Sequence, residues 1–314
     1  MDREPFIRAT EIWVPAADGR SIDLQSGVYG QMDYFAAVSR GMRFELGEGL
    51  PGKVWEQGRP IILRDLCNSY FVRKEAAMTE GLSCAVAMPS YDAGRLRSVT
   101  VLFCGDDRFR LGALELWTLR SGEDELSLVD GYFGHAHEFE SETRDTRFAS
   151  GEGVPGRAWR TGRPDVLASL GSDGRFLRHE AADQVGFDRA VGVPCPSRKG
   201  VPFVLTLVSS CVSPVAGRIE YWVLDEGVGG FRLVSGYCEA CEDLLTSHAD
   251  TVIAFDVGLF GRACRKRIPL IDEDLATDTE SRVARSAVAA GLKSMVVQPL
   301  NAGDGFDAVL VWYF

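Results

Sequence analysis

An α+β chain of three tandem units, each an antiparallel sheet interrupted by helices, is the fold class the sequence predicts, and three observations predict it. A glycine-rich segment is spelled three times. It reads Gly47-Glu48-Gly49-Leu50-Pro51-Gly52-Lys53-Val54-Trp55 before Gly58-Arg59-Pro60, then Gly151-Glu152-Gly153-Val154-Pro155-Gly156-Arg157-Ala158-Trp159 before Gly162-Arg163-Pro164. The third copy is worn: Val257-Gly258-Leu259-Phe260-Gly261-Arg262-Ala263 before Arg267-Ile268-Pro269. Landmarks on both sides keep the same register, with Trp13, Trp117 and Trp222 upstream and the runs Gly81 to Pro89, Gly186 to Pro194 and Gly291 to Pro299 downstream. Each copy closes on an apolar strand, at Val99 to Cys104, Phe203 to Val208 and Ala308 to Phe314. A shared period fixes the domain count before any residue chemistry is considered. It sets the units at 1–107, 108–213 and 214–314, the last divergent.

Within the first unit, Glu11 to Val14 and Ile22 to Tyr29 flank Asp18-Gly19, whose easy access to positive φ favours a hairpin turn. An irregular stretch leads to Phe44 and the glycine-rich turn. Val54-Trp55 then reads as a short helix stopped by Gly58 and Pro60. Ile61-Ile62-Leu63 is a short strand. From Asp65 to Gly81 the apolar residues Phe71, Ala76, Ala77 and Met78 recur at helical spacing, predicting a helix that Gly81 stops. A buried strand ending in Pro89, a turn at Asp92-Ala93-Gly94 and the last strand complete the unit. Antiparallel strands with interrupting helices are an α+β pattern, not a parallel dinucleotide-binding layer.

With 314 residues, 46% of them apolar, the chain has material for three cores of ordinary size. No run approaches the ~20 apolar residues of a membrane span, and Met1-Asp2-Arg3-Glu4-Pro5 has neither the basic nor the apolar region of a signal peptide. A cytoplasmic location and no membrane partner are therefore expected. The formal charge of −11 opposes the counterion-release attraction that drives nucleic-acid binding, so no nucleic-acid partner is expected either. Most of the eight cysteines read as small buried residues. Cys238-Glu239-Ala240-Cys241 with His248 is the exception, because that spacing suits redox or metal chemistry, but the four ligands of a structural zinc site are not supplied locally. No metal site is expected, and no cofactor is indicated.

The ordered recurrence of Gly-x-Gly-(Leu/Val)-Pro-Gly-(Lys/Arg)-x-Trp, Gly-Arg-Pro, the helices Phe71-Val72-Arg73-Lys74-Glu75-Ala76-Ala77 and Phe176-Leu177-Arg178-His179-Glu180-Ala181-Ala182, and the strand ending in Pro89 or Pro194 resembles the GAF family. The resemblance covers nearly all of the first two units; in the third, Phe260 replaces the proline, Cys264 the tryptophan, and the helix lacks its Phe. It implies a six-stranded antiparallel sheet with a pocket on one face, roofed by the glycine-rich loop and the helix after Asp65. Of the cyclic-nucleotide signature of that family only Phe71-x3-Glu75 and Phe176-x3-Glu180 survive. Bilin attachment needs a Cys-His pair, haem needs a pocket His, and the family's methionine sulfoxide reductases need a Cys in the glycine-rich loop, where this chain has Pro51, Pro155 and Phe260. No zinc-protease, Walker or nucleophile-elbow motif is present, so no enzyme activity is expected.

The candidate ligand-binding residues are Phe44, Trp55, Phe71, Arg73 and Cys84 in the first unit and Phe148, Trp159, Phe176, Arg178 and Arg189 in the second. Trp55 and Trp159 fit either a pocket wall or a core anchor. Arg73 and Arg178 fit either a site for a small oxyanion at a helix start or a solvated helix face. Val283 or Ala284 takes their place in the third unit, whose pocket is expected to be closed.

The function that follows is a ligand-responsive regulatory protein binding a small, anionic metabolite in the first two units. The alternative is a ligand-free scaffold, with a protein partner or homo-oligomer. The joints Gly105 to Ala113 and Cys211 to Arg218 break on Gly or Pro and lack helical periodicity. An uncovered sheet face therefore needs a neighbour. Two closures fit such short joints: each unit completes its own sheet, or the opening strands of each unit pass to the preceding one and Glu11 to Val14 joins Ala308 to Phe314 in a ring.

Overall fold

The computed structural model describes residues 4–105, 111–171, 174–241, 243–300 and 308–314. The first sheet holds β1 (Ile7–Pro15), β2 (Ser21–Val28), β3 (Arg43–Glu45), β4 (Ile61–Leu63), β5 (Cys84–Asp92) and β6 (Arg95–Cys104), with α1 (Asp33–Arg40), α2 (Gly49–Gln57) and α3 (Lys74–Thr79) between them. The second holds β7 (Gly112–Leu119), β8 (Leu126–Tyr132), β9 (Arg147–Phe148), β10 (Asp165–Leu167), β11 (Arg189–Cys195) and β12 (Phe203–Ser209), with α4 (His137–Asp145), α5 (Gly153–Thr161) and α6 (His179–Gln184). The third holds β13 (Arg218–Asp225), β14 (Gly230–Cys238), β15 (Val252–Ala254), β16 (Leu270–Asp272), β17 (Met295–Leu300) and β18 (Ala308–Tyr313), with α7 (Leu244–Ser247), α8 (Gly258–Lys266) and α9 (Arg282–Ala289). The spatial order is the same three times: β3-β2-β1-β6-β5-β4, β9-β8-β7-β12-β11-β10 and β15-β14-β13-β18-β17-β16. These are the six-stranded antiparallel sheets that the resemblance implies.

In every sheet the last strand pairs antiparallel with the first, Trp13 standing opposite Val99, Trp117 opposite Val204 and Trp222 opposite Val309. That pairing excludes the exchanged-strand ring. A tight hairpin brings β6 back along β5, and Ala93 and Gly94 carry the positive φ values of its turn, 48° and 75°. Each Trp follows a register shift between the first two strands, at Ile12/Trp13, Leu116/Trp117 and Tyr221/Trp222. The three side chains are therefore equivalent to the residue, and all are fully buried on the helix-covered face.

The helices depart from expectation in two ways. α3 starts at Lys74 rather than near Asp65 because the Asp65 carboxylate accepts the backbone N–H groups of Cys67 and Asn68, 2.8 and 2.9 Å away, and holds the chain in a turn. α1, α4 and α7 fill what reads as irregular sequence, and α1 and α4 have no side-chain N-cap to announce them.

By its internal contacts the chain forms two compact units, Met1–Val215 with the first two sheets and Ala216–Phe314 with the third. Within the first unit β4 lies beside β7 and β8, and β5 beside β11. Arg64 pairs with Asp130, and the rings of Phe6 and Tyr132 stack at 6.5 Å. The N–H groups of Phe6 and Ile7 donate to the carbonyls of Pro214 and Val215, 2.7 and 3.3 Å away. Of the joint after Cys104, residues 106–110 lie outside the described residues. β7 pairs with β8 and β12, so it forms no hairpin with β6.

Candidate functional site

The residues singled out in the sequence converge on the helix-covered face of each sheet. Phe44 meets the Trp13 indole edge-on at 4.8 Å, and Phe148 meets Trp117 at 4.7 Å. Phe71 and Phe176 precede the short helices α3 and α6 and turn inward, each 2% exposed. Trp55 and Trp159 are half-buried packing partners of the same cores. Cys84 and Arg189 do not join them. Period-2 alternation places Ala85 and Ala190 in the helix-side cores, which turns Cys84 and Arg189 to the reverse face. Arg189 pairs there with Asp188 at 3.2 Å.

Arg73 is the residue immediately before α3, and neither reading of it as an oxyanion site for solutes or as a solvated side chain describes it. Its side chain is 1% exposed, and Nη2 lies 3.0 Å from Oε2 of Glu11 while Nη1 binds Oε1. Nη1 also donates to the Ser39 hydroxyl on α1. The oxyanion it holds is the protein's own. Around it stand four rings, with the guanidinium carbon 4.6 Å from the centroid of Phe35, 5.1 Å from Phe71, 5.2 Å from Phe103 and 5.6 Å from Trp13. Glu11 in turn accepts from the Trp13 indole at 2.9 Å and from the Tyr29 hydroxyl at 3.1 Å. Burial first, and the Glu11 charge second, push the Tyr29 phenol far above its ordinary range, so it acts as a donor.

The second domain repeats this constellation. Arg178 reaches Glu115 with Nη2 at 3.0 Å from Oε2, donates to Thr143 on α4, and lies 4.7 Å from Phe139, 5.1 Å from Phe176 and 5.5 Å from both Trp117 and Phe148. Trp117 donates to Glu115 at 3.0 Å. A buried charge is tolerable only when it is paired and its remaining hydrogen-bonding sites are filled, and these two sites come close to that condition.

The third domain keeps the pair and moves the arginine. Val283 stands at the place of Arg73 and Arg178, and Arg218 stands two residues before Glu220, where the other domains have Ala9 and Ala113. Arg218 forms a fully buried ion pair with Glu220, which accepts from Trp222 at 2.8 Å and from the Tyr313 hydroxyl at 2.6 Å. Small residue and large residue have exchanged positions, and the charge count of the core is unchanged. Phe260, at the place of Pro51 and Pro155, packs its ring 5.7 Å from Trp222.

Glu11, Glu115 and Glu220 are the functional residues that sequence reasoning missed. The signal was a glutamate two positions before each tryptophan in otherwise apolar strands.

His248 joins the third constellation. Nε2 lies 3.2 Å from Arg218 Nη2 and must accept from it, which leaves Nδ1–H to donate to the Leu244 carbonyl at 3.2 Å. Burial, and then the Arg218 charge, hold its pKa below the ordinary 6.5, with Glu220 opposing. The unfolded imidazole takes up a proton that the folded one refuses. Stability conferred by His248 is therefore complete above pH 6.5 and declines as the pH falls from there towards the folded-state value. Thermal unfolding followed from neutral pH downward is expected to show this decline, and His248→Gln, which keeps an acceptor but cannot titrate, is expected to reduce it.

Cys238 and Cys241 are free and lie within hydrogen-bonding reach, and burial pushes the Cys238 thiol up to about 11. Among the described residues no group of three or more His, Cys, Asp and Glu side chains is placed to hold a metal ion, and no helix is long and apolar enough to cross a membrane.

No protein-family profile and no curated protein sequence matches this chain. Solved structures similar to parts of it include a GAF domain of A. aeolicus nlh2 in an inactive state, at 23% identity and a TM-score of 0.26, covering 32% of this chain and 59% of that one. Another is NreA of Staphylococcus aureus mutated in its nitrate-binding site, at 15% identity and a TM-score of 0.27, covering 32% of this chain and 77% of that one. A third is free methionine-R-sulfoxide reductase of Neisseria meningitidis with its substrate, at 21% identity and a TM-score of 0.25, covering 33% of this chain and 53% of that one. At such identities the likeness concerns the fold alone.

Proposed function

We propose that this chain, built of three GAF-like domains with boundaries near residues 107 and 213, is a non-catalytic regulatory and protein-interaction module whose interior sites are filled by its own side chains. One observation carries the reading. In each domain a buried guanidinium already occupies the ring-lined space over the sheet and already neutralises the carboxylate beneath it. A small anion entering beside Arg73 or Arg178 has to displace Glu11 or Glu115, whose charge is then left buried and unpaired. The segment entering α3 exposes Tyr70 and Val72, α3 itself exposes Met78, and Leu177 is exposed at the place of Val72 in the second domain, which suits contact with a protein partner or a second copy. For catalysis, Pro51, Pro155 and Phe260 offer no nucleophile in the glycine-rich turns.

A ligand-responsive module is the second reading, and a specific feature favours it. The Nε of Arg73 and that of Arg178 are buried without a hydrogen-bond partner, a donor that a small acceptor could engage.

Native mass spectrometry of gently purified protein, with thermal-shift titrations of nitrate, nucleotides and small carboxylates, separates the two. The scaffold reading expects no retained small molecule and no saturable shift that depends on Arg73 or Arg178. A retained molecule that is lost in Arg73→Lys or Arg178→Lys, or a saturable shift abolished by Arg73→Lys, establishes the second reading instead. Turnover of free methionine sulfoxide with a dithiol reductant would overturn the non-catalytic assignment.

A further inference from the structure

The end of α2 and the β11–β12 turn meet across a cleft that the constellations above do not use. Gly58 ends α2 in the left-handed conformation at φ 67°, which exposes the last carbonyls of the helix. The β11–β12 turn docks onto them: the Arg198 N–H donates to the Gly58 carbonyl at 2.7 Å, and Arg198 Nη2 donates to the Glu56 carbonyl at 2.9 Å. The cleft between has a volume of about 460 Å³ and is lined by residues including Arg59, Arg198, Lys199, Val201 and Phe203. That is the size range of small-molecule sites, ~300–1,000 Å³.

Its charge runs against that of the molecule. In a chain of net charge −11, Arg59, Arg198 and Lys199 face one space with Glu56 as the single acid of the lining. Among the described residues none of the three cations is paired with a carboxylate, since Arg59 donates to the Pro60 carbonyl and Arg198 to the helix end. Arg198 is fixed by its two bonds to α2, and Val201 and Phe203 supply an apolar wall below the cations. A site with an apolar wall under three cations selects a ligand with an apolar body and an anionic head.

We infer that this cleft is a binding site for a small organic anion, an apolar body bearing a phosphate or carboxylate group, with Arg59 and Lys199 gripping the head and Val201 and Phe203 the body. This site is separate from the buried arginines and stands whether or not the scaffold reading above holds.

The test uses the full chain and 1-naphthyl phosphate as probe, with 1-naphthoate, inorganic phosphate and 1-naphthol as comparison arms, all followed by calorimetry. One site is expected for 1-naphthyl phosphate or 1-naphthoate, with affinity falling as salt rises. Whichever of the two binds more tightly identifies the head group. Inorganic phosphate and 1-naphthol, each half of the probe, are expected to bind at least tenfold more weakly. The variant Arg59→Gln with Lys199→Gln removes the charges of the half-buried Arg59 and the exposed Lys199 and is expected to weaken probe binding at least tenfold, whereas Lys293→Gln leaves it unchanged. Absence of binding by both naphthyl anions overturns the assignment, as does binding that survives the double substitution. Equal affinity for inorganic phosphate and 1-naphthyl phosphate overturns the role of the apolar wall.

Discussion

Arg73→Ala is expected to destabilise the first unit by about 3–5 kcal/mol, the cost of leaving one partner of a buried ion pair without the other. For a unit of this size that corresponds to a fall in Tm of roughly 6–20 °C, at about 2–4 °C per kcal/mol. The size of the effect follows from what remains behind. Glu11 is fully buried and keeps only the Trp13 and Tyr29 donors, so its charge has to be protonated or hydrated for the fold to persist. Four rings lose the cation they surround as well. Because the vacated space has the shape and charge preference of a guanidinium, methylguanidinium at millimolar concentration is expected to restore part of the Tm in Arg73→Ala and to leave the wild type unaffected. Thermal unfolding measures both. A loss below about 1 kcal/mol, the range of an exposed pair, would show that the pair is solvated in solution.

Gly52→Ala is expected to be nearly as damaging, and Gly156→Ala and Gly261→Ala with it. A Cβ at Gly52 falls far inside van der Waals contact of the Glu45 carbonyl oxygen, at Gly156 of the Ala149 carbonyl, and at Gly261 of the Phe255 carbonyl. None of these contacts is with a side chain that can swing away. The Glu45 carbonyl is held by the Glu48 N–H at 3.0 Å, and the Gly52 carbonyl by the Gly47 N–H at 2.9 Å. Overpacking ordinarily costs about 1–3 kcal/mol and more where backbone has to move. Alanine at Gly41, whose Cβ meets nothing closer than the Val38 carbonyl oxygen at 3.7 Å, is the matched control and is expected to stay within about 1 kcal/mol. Denaturant unfolding of the four variants gives the comparison.

These glycines also explain what was legible in the sequence. The repeated glycine-rich turn reads clearly because backbone approaches backbone there, and no other residue fits at its sixth position. The tryptophans read clearly because a bulge and a fixed partner strand hold each at one register. The interior of the site was legible only in halves. Phe44, Phe71, Arg73 and their second-domain counterparts stand in recognisable motifs, but Arg73 and Glu11 are 62 residues apart, and nothing local in either segment declares the pairing. Arg218 was harder still, since the third domain keeps the chemistry while moving its cation from a helix start to a strand. Cys84 and Arg189 were misplaced because adjacent strand residues point to opposite faces, and a motif quoted as a string does not say which of its letters turn inward. The short helix α1 escaped because it has eight residues and no side-chain cap.

The hydrogen bonds from Phe6 and Ile7 to Pro214 and Val215 bring the entry and exit of the first unit to a single point. A polypeptide that leaves where it came in is topologically a cassette. Its two sheets could be set into an exposed loop of an unrelated host without prising that loop apart, or its ends joined and the chain reopened at a surface turn such as that of Gly94, with the strand order preserved.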